Sequence, residues 1–432
     1  MEWGFDNARA FAGIAAIFGI AWLMSENRRE FPWRIVIGAV FLQFVFALVI
    51  FGVPKIFGFE SLFGSGSEPN PVIKTLEDAT RSGTGFVFGY VGDNAAAGEL
   101  MSASPPPQFF FQILPIVIVV AALSAMLWHW RILRWITRAF AFIFRKTMGL
   151  GGATSLAVSA NVFMGMTEAP VLVKPYVKGM TRSELFILMT AGFATIAGSV
   201  LIIYTTFLEG QLDNPLAQLL TASIMAAPAA VALALTIVPE TEPATERAHE
   251  PDFEYDSTMD AFATGASDGL KIVLNIATML IAALALLYIG NVLFGLLPDV
   301  NGQALTIQRV LGWVFSPIMY MIGVPFDEAA KAGSLMGIKT VLTEFVAFIE
   351  LGEVEPGELS ERARIITTHA ICGFANFGSM GILIGGLVII EPSRRDTFLS
   401  LAWKTLIAGT LATCLSGAVV GALPEALFIS GS

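Results

Sequence analysis

Charged residues are scarce in this sequence. Asp, Glu, Lys and Arg make up 14% of the 432 residues, whereas soluble domains carry about 25%. Hydrophobic residues make up 55%, and the mean hydropathy is +0.71. A chain with so few charges and so much apolar surface is not an ordinary globular protein in water. The composition therefore places it in a membrane.

Cysteine and net positive charge are lacking as well. Cys372 and Cys414 are the only cysteines, and each stands in an apolar run, so neither a disulfide framework nor a Cys-based metal site has enough ligands. We expect both to be small core residues. The net charge of −10 excludes a nucleic-acid partner, because phosphate neutralisation requires clustered cations.

Apolar runs long enough to cross a bilayer, which takes about 20 residues per helix, predict about eight transmembrane helices. The first run follows Glu2 and Asp6 rather than a basic segment, so we expect a retained span and not a signal peptide. The runs are Ala8–Met24, Ile35–Val53, Phe109–Leu127, Leu185–Leu208, Leu216–Val238, Leu270–Leu296, Ile365–Ile390 and Leu399–Leu423.

The distribution of cations predicts the orientation, since short cytoplasmic loops collect Lys and Arg. All the basic loops fall inside if the N-terminus lies outside, so we expect this orientation. Together with the predicted spans, it gives a multi-pass protein of the inner (plasma) membrane. The acidic segment Pro239–Asp260 falls on the same side, but the rule counts cations and not acids. The segment His129–Lys146 predicts an amphipathic helix on the membrane surface, with Arg131, Arg134 and Arg138 on one face.

Two further apolar stretches, Gly149–Val177 and Ala304–Leu351, are too interrupted by Gly, Pro and acids to cross the membrane. Each predicts a re-entrant hairpin of two half-helices, which is tolerated only where the exposed backbone lines a cavity. Each is followed by a span with a helix-weakening patch, Ala191–Ser199 after the first and Gly373–Ser379 after the second.

The two hairpins also share a Thr-Glu pair at the start of the second half-helix. Thr167 precedes Glu168, and Thr343 precedes Glu344; both threonines are suited to cap a helix. Each carboxylate would cost roughly 2.5–3.5 kcal/mol at the bilayer centre, which indicates a functional site. The alternative is that each Glu only stabilises its half-helix through the helix dipole.

Under the predicted topology, the first hairpin enters from inside and the second from outside. Hairpin, broken helix and span therefore occur twice with opposite orientation. Such an inverted repeat is typical of secondary transporters, whose binding site lies where the broken segments meet.

Several long motifs resemble the concentrative nucleoside transporter family. They are NVFMGMTEAPVLVKPYV, TRSELFILMTAGFATIAGSV, GIKTVLTEFVAF, HAICGFANFGSMGILIGGL and EPSRRD, and the resemblance covers Phe109 to Leu423. It implies an all-α polytopic membrane protein that works as an elevator-type symporter, assembles as a homotrimer in the lipid bilayer and takes up nucleosides with a sodium or proton gradient. It implies no organic cofactor and no enzymatic activity.

The sequence departs from the family pattern at two positions: Met166 stands where the family commonly has Gln, and Thr343 where it has Asn.

The same resemblance implies roles for individual residues. Neutral oxygens at the implied ion site favour sodium over protons, although Asn161 and Thr195 could equally be local hydrogen-bonding groups. The base contacts fall on Gly165, Met166, Thr167, Glu168 and Val200, the ribose contacts on Glu344, Asn376 and Ser379, and the sodium ligands on Asn161, Met164, Thr195 and Ile196.

The predicted organisation divides the chain into five parts. Residues 1–108 hold the N-terminal spans and an external connection, and 109–148 the third span with its interfacial helix. Residues 149–238 hold the first hairpin, broken helix and following span; 239–302 a loop, an interfacial helix and a scaffold span; and 303–423 the second hairpin, broken helix and last span.

Other functions stay open at this point. One is a proton-coupled transporter of a modified nucleoside or nucleobase, and another is a channel. A membrane-embedded hydrolase would use Glu168 and Glu344 as acid and base, but the histidines, His129, His249 and His369, are scattered along the sequence and form no metal or catalytic motif.

Overall fold

The computed structural model describes residues 4–53, 70–92, 109–243, 245, 255–300, 302 and 304–428. No β-strand occurs in these ranges, in agreement with the predicted all-α fold. Much of the external connection predicted after the second span, and the acidic residues Glu246, Glu250, Asp252 and Glu254, lie outside the described residues.

The described chain folds into helices joined mostly by short turns. Short π-helical segments extend α2 over Leu48–Gly52 and precede α4 over Phe109–Ile113. The helices are α1 Phe5–Leu23, α2 Trp33–Ala47, α3 Pro71–Phe88, α4 Ile116–His129, α5 Ile132–Met148, α6 Gly152–Asn161, α7 Ala169–Leu172, α8 Lys174–Val177, α9 Arg182–Ala194, α10 Gly198–Leu208, α11 Pro215–Ile237, α12 Thr258–Phe294, α13 Ile307–Met321, α14 Ala329–Val341, α15 Glu344–Gly352, α16 Glu361–Ile371, α17 Phe377–Ile390 and α18 Arg395–Ala422.

Six helical segments of the described chain are long and apolar enough to cross a membrane. The other two predicted spans correspond to α1, with 19 residues, and to the broken pair α16 and α17. The six segments are Trp33–Gly52, Phe109–His129, Arg182–Leu208, Pro215–Ile237, Thr258–Phe294 and Pro392–Ala422.

Two boundaries differ from the sequence prediction. Helix α12 is continuous over 37 residues from Thr258, so no separate interfacial helix precedes it in the described part of 239–302. The amphipathic helix α5 begins at Ile132, and Arg131 is its N-cap with a φ of 66°. Arg131 therefore does not share a helical face with Arg134 and Arg138, because its left-handed backbone conformation places it outside the helix.

Close packing of small residues joins α12 to α4. A Cβ at Gly265 would lie 2.7 Å from Ala125 Cβ, and one at Gly269 would lie 2.7 Å from Ile118 Cα. Glycines four residues apart let two apolar helices approach at backbone distance, which is the favoured way to associate helices where lipid removes the hydrophobic driving force. Any larger side chain would push this pair apart.

The first hairpin consists of α6, a turn, and the short helices α7 and α8, as predicted in outline. The second consists of α14 and α15. The predicted second segment also contains a third helix, α13, which packs along α14 where Gly312 and Gly333 approach. The reason is that Ile307–Met321 is long and apolar enough to form a helix of its own.

The hairpins are rooted at opposite ends of the molecule. At one end, Thr154 of α6 donates to Glu184 at 3.0 Å, and Arg394 donates to the Lys178 carbonyl at 3.1 Å. At the other end, Arg9 of α1 donates to the Val324 carbonyl just before α14, at 2.8 Å. The structure thus contains the inverted arrangement that the sequence predicts.

The basic loops gather at the first of these ends. Glu26, after α1, accepts from Arg182 at 2.9 Å and from Lys404 of α18 at 2.8 Å. Glu240, from the acidic segment, accepts from the Thr181 hydroxyl at 2.7 Å. The acidic and basic loops therefore lie on the same side, as the predicted topology requires.

Candidate functional site

Four interruptions of helical structure meet inside the bundle. Helix α9 stops at Ala194 and α10 resumes at Gly198, while α16 stops at Ile371 and α17 resumes at Phe377. The hairpin turns before α7 and before α15 supply the other two. Backbone groups freed at such breaks are satisfied only inside protein or beside a cavity, so the breaks define where a polar site can exist in the membrane.

Side-chain caps hold two of the breaks in place. Thr343 accepts from the Val346 N–H at 3.3 Å, and Asn376 Oδ1 accepts from the Ser379 N–H at 2.7 Å. The predicted cap role of Thr343 is confirmed.

The predicted cap role of Thr167 is wrong. The backbone N–H groups of Glu168 and Ala169 both donate to the Gly165 carbonyl at 3.1 Å, so Thr167 lies within a closed turn. Glu168 occupies the cap position without capping through its side chain; its Oε2 instead accepts from the Gly165 N–H at 3.0 Å.

A cavity with an empty volume of about 870 Å³, part of it open to solvent, lies between these breaks. All five residues predicted to contact a base and all three predicted to contact a ribose line it. The lining residues are Gly165, Met166, Thr167, Glu168, Ala197, Val200, Tyr204, Ile272, Asn275, Ile276, Met279, Leu280, Thr343, Glu344, Phe345, Phe374, Asn376, Ser379 and Ile382.

Glu344 accepts two side-chain hydrogen bonds in the cavity wall. Its Oε1 accepts from the Tyr204 hydroxyl at 2.9 Å, and its Oε2 accepts from Asn376 Nδ2 at 2.9 Å. Glu344 is 6% exposed, so these bonds lie away from bulk water, where each is worth more than at a surface. A carboxylate oxygen can accept two hydrogen bonds, so the Glu344 carboxylate keeps acceptor capacity for a ligand hydroxyl.

The opposite wall is formed by the first hairpin. The Glu168 carboxylate bridges back to Gly165, and Met166 is 8% exposed beside Gly192, where an added Cβ would lie 3.0 Å from Met166 Cβ. Gly192 therefore makes room for the hairpin turn. This wall therefore combines the apolar Met166 with the polar Thr167 and Glu168. Such a combination suits a planar nucleobase, which has apolar faces and hydrogen-bonding edges.

The residues implied as a sodium site surround the break between α9 and α10. Asn161 is fully buried, and neither of its amide atoms has a hydrogen-bond partner within the described chain. Thr195 is 1% exposed and donates to the Ala191 carbonyl at 2.9 Å, which leaves its lone pairs free to face a cation. An unpartnered buried amide beside a buried hydroxyl fits a hard cation such as Na⁺.

The backbone groups of this ion site are only partly brought together. The Ile196 carbonyl lies 3.5 Å from Ser223 Oγ, which also donates to the Val162 carbonyl at 3.1 Å. Met164 follows in the turn after α6, with its N–H bonded to the Ala160 carbonyl at 2.8 Å. Ser223 of α11 thus ties the first hairpin to the break, a contact that sequence reasoning missed because a lone Ser in an apolar helix gives no signal.

Other cavity residues were also missed from the sequence. Tyr204 lies 140 positions from its partner Glu344, and Asn275 stands within the continuous apolar helix α12. Lys339 of α14 does not line the cavity; it is fully buried near Glu344, and its Nζ donates to Thr413 Oγ1 at 3.4 Å. No helix-breaking residue marks Tyr204 or Asn275, so the pattern that located the hairpins could not find them.

Sequence comparisons identify the family. Residues 12–91 match the family described as Na⁺ dependent nucleoside transporter N-terminus, residues 218–421 its C-terminus, and residues 110–211 a gate family described as nucleoside recognition. The nucleoside permease NupC of Helicobacter pylori is 33% identical over 422 residues, 96% of this chain and 98% of the permease. This chain belongs to the sodium-dependent, or concentrative, nucleoside transporter family.

Further relatives agree with this assignment. The uncharacterized transporter YutK of Bacillus subtilis is 37% identical over 420 residues, which is 95% of this chain and 97% of that protein. The structure of CNTnw in an inward-facing substrate-bound state is 33% identical, with a TM-score of 0.85 over 96% of this chain and 98% of that one. Outward-facing and intermediate states of CNTnw are similar as well.

Membership in this family decides between the classes of function that the sequence left open. The family consists of transporters, so the hydrolase alternative falls. The similarity to one transporter solved in several states fits an elevator-type mechanism. The concentrative nucleoside transporter fold and the apolar helices make this chain a multi-pass membrane protein.

Proposed function

We propose that this protein takes up nucleosides across the plasma membrane in symport with sodium, with the ribose held by Glu344, Asn376 and Ser379 and the base by the first hairpin. The observation that carries the proposal is the cavity in which Glu344, hydrogen-bonded to Tyr204 and Asn376, faces the Gly165–Glu168 turn. A carboxylate that keeps acceptor capacity beside these two bonds is suited to accept from vicinal hydroxyls.

The chemistry of the ribose set supports selectivity for ribosides. Asn376 and Ser379 add mixed donors and acceptors next to the carboxylate, and all three side chains are less than 7% exposed. A site built to pair hydroxyls rejects analogues that lack them, because its buried polar groups are left unpaired. We therefore expect ribosides to bind more tightly than deoxyribosides.

The ion-site chemistry supports sodium rather than protons. Asn161 and Thr195 supply neutral oxygens, and the Asn161 amide has no partner within the described residues. Unwound backbone near a half-helix end is where transporters of this kind bind Na⁺. A proton-coupled carrier of a modified nucleoside or nucleobase would instead place the coupling on Glu168 or Glu344.

The proposed assembly is a homotrimer with its N-terminus outside the cell. Apolar side chains of α12 stand exposed on the isolated chain, among them Ile281 at 74% and Ile289 at 55%. A face of this kind is covered by lipid or by neighbouring copies. Cross-linking in native membranes distinguishes a trimer from other assemblies.

The decisive experiment measures uptake of radiolabelled uridine into proteoliposomes with an imposed sodium gradient, a proton gradient or neither. Saturable accumulation that requires inward sodium supports the proposal. Accumulation that follows a pH gradient and ignores sodium overturns the sodium assignment. Passive equilibration would indicate a channel, and a chemically altered product without accumulation would indicate an enzyme.

A further inference from the structure

The wall that α12 contributes to the cavity carries one polar side chain that no role described so far requires. Ile272, Ile276, Met279 and Leu280 are apolar, and Asn275 stands among them. Its side chain is exposed to the cavity, and within the described part of the chain its amide has no hydrogen-bond partner. Polar groups inside a transmembrane helix are costly and mark functional positions.

The position of Asn275 along α12 follows from contacts on either side of it. Asp268, two turns earlier, is near enough to Glu168 of the first hairpin for the two like charges to repel. Met279, one turn later, contacts the start of α17, since a Cβ at Gly378 would lie 2.7 Å from Met279 Cε. With a rise of about 1.5 Å per residue, Asn275 lies roughly 10 Å from the level of Asp268 and roughly 6 Å from that of Met279.

These three residues share one face of the helix. Positions 268, 272, 275, 276 and 279 follow the spacing of four, three, one and three residues that forms a stripe on an α-helix. The Asn275 amide therefore points between the first hairpin, which holds the proposed base set, and α17, which holds Asn376 and Ser379 of the proposed ribose set.

The chemistry of this position complements the first hairpin. Met166 offers a thioether, which is a weak acceptor and no donor, whereas an Asn amide offers two donors and an acceptor. Base edges present donors and acceptors side by side, which an amide can match with two bonds. Of the two amides in the cavity wall, Asn376 is bonded at both its oxygen and its nitrogen, whereas Asn275 has no partner among the described residues.

We propose that Asn275 contacts the nucleobase from the α12 side of the cavity and is a specificity-determining residue for the base. This inference rests on the proposed function. It assigns to α12 a role in recognition that the two hairpins and broken helices do not fill.

The test is a competition panel with purified protein in proteoliposomes, using uridine, cytidine, adenosine, inosine and 2′-deoxyuridine against labelled uridine. Asn275→Leu removes the amide and keeps the volume similar. Thr278→Val is the matched control, because Thr278 lies in the same turn, bonds only to its own helix at Leu274 and does not line the cavity.

We expect Asn275→Leu to raise the inhibition constants of the ribosides by roughly 2- to 12-fold, the worth of one neutral hydrogen bond. The factor should differ from base to base, because each base presents a different edge. The ratio between uridine and 2′-deoxyuridine should stay unchanged, and Thr278→Val should behave as the parent. If Asn275→Leu does not fold, Asn275→Gln, which moves the amide by one methylene, should reorder the bases.

Several results would overturn the inference. Among them are inhibition constants that stay unchanged in the Asn275 variants, an equal factor for every base, and a change confined to the sugar ratio. Loss of oligomeric assembly in Asn275→Leu would assign the amide to contacts between copies. If the parent protein binds no nucleoside at all, the proposed function itself fails; if the parent binds and the variants keep its relative affinities among the bases, only the role of Asn275 fails.

Discussion

Replacing Glu344 with Gln tests the ribose site most directly. The side chain keeps its size, but one oxygen becomes an NH₂ group that faces Tyr204 or Asn376, whose groups now donate to the carboxylate at 2.9 Å each. Hydrogen bonds to charged groups are worth about 1.5–3 kcal/mol. Losing one such bond to a ribose hydroxyl weakens binding by roughly 10- to 150-fold, at about 1.4 kcal/mol per factor of ten.

The assay is equilibrium binding of uridine, 2′-deoxyuridine and 3′-deoxyuridine to the purified protein, followed by uptake in proteoliposomes. Analogues that lack a hydroxyl make fewer hydrogen bonds to Glu344, so Glu344→Gln should weaken their binding by a smaller factor than that of uridine. Glu353→Gln is the control, because Glu353 is exposed at the end of the same helix and does not line the cavity. An equal factor for ribosides and deoxyribosides would refute the ribose assignment, provided that thermal unfolding shows both variants to be folded.

Three further predictions concern the ion site, the base site and the basic end of the bundle. Thr195→Ala removes one neutral oxygen and should raise the sodium concentration for half-maximal uptake, while replacement of sodium by choline at fixed pH should abolish uptake; an unaltered sodium dependence would exclude Thr195 as a ligand. Met166→Gln adds an amide and should change relative affinities among bases by roughly a few-fold, the worth of a neutral hydrogen bond, with the ribose requirement intact; a competition panel identical to that of the parent would place Met166 outside base recognition. Hydrogen bonding from Arg182, and then the charge and hydrogen bond of Lys404, hold the pKa of Glu26 below its usual 4.5, so its contribution to stability is present above that pH and is lost as the pH falls through the lowered value. Glu26→Gln should therefore flatten the loss of thermal stability as the pH falls from about 4.5 through the lowered value, and parallel losses in both proteins would contradict this.

The sequence was most informative where polar or helix-breaking residues interrupt apolar runs. The breaks at Thr195 and at Asn376 were predicted, because Gly, Ser and Asn there weaken a helix and offer caps. The cap at Thr343 followed from the same rule. Thr167 obeys the rule equally well, yet the backbone of Glu168 and Ala169 closes the turn on Gly165 and leaves Thr167 no helix end to cap.

Contacts between distant segments were beyond the reach of sequence patterns. The Tyr204 hydroxyl meets Glu344 because α10 packs on α15, a relation that no local spacing encodes. Asn275 and Lys339 lie within helices, where period and capping carry no information about a single polar side chain. The assignment of individual ligands therefore followed from the resemblance to known transporters, and the bonding of those ligands to one another from the structure.

The hydrogen bonds of Glu344 also matter when the transporter returns without substrate. A carrier that accumulates its substrate must bring the vacated site back through the low-dielectric interior, where a bare carboxylate would oppose the movement. Tyr204 and Asn376 come from two different helices and each gives Glu344 a donor at 2.9 Å. These donors belong to the protein and accompany the charge, so they offset part of its desolvation cost when the site is empty, and they link α10, α15 and the start of α17 through one carboxylate.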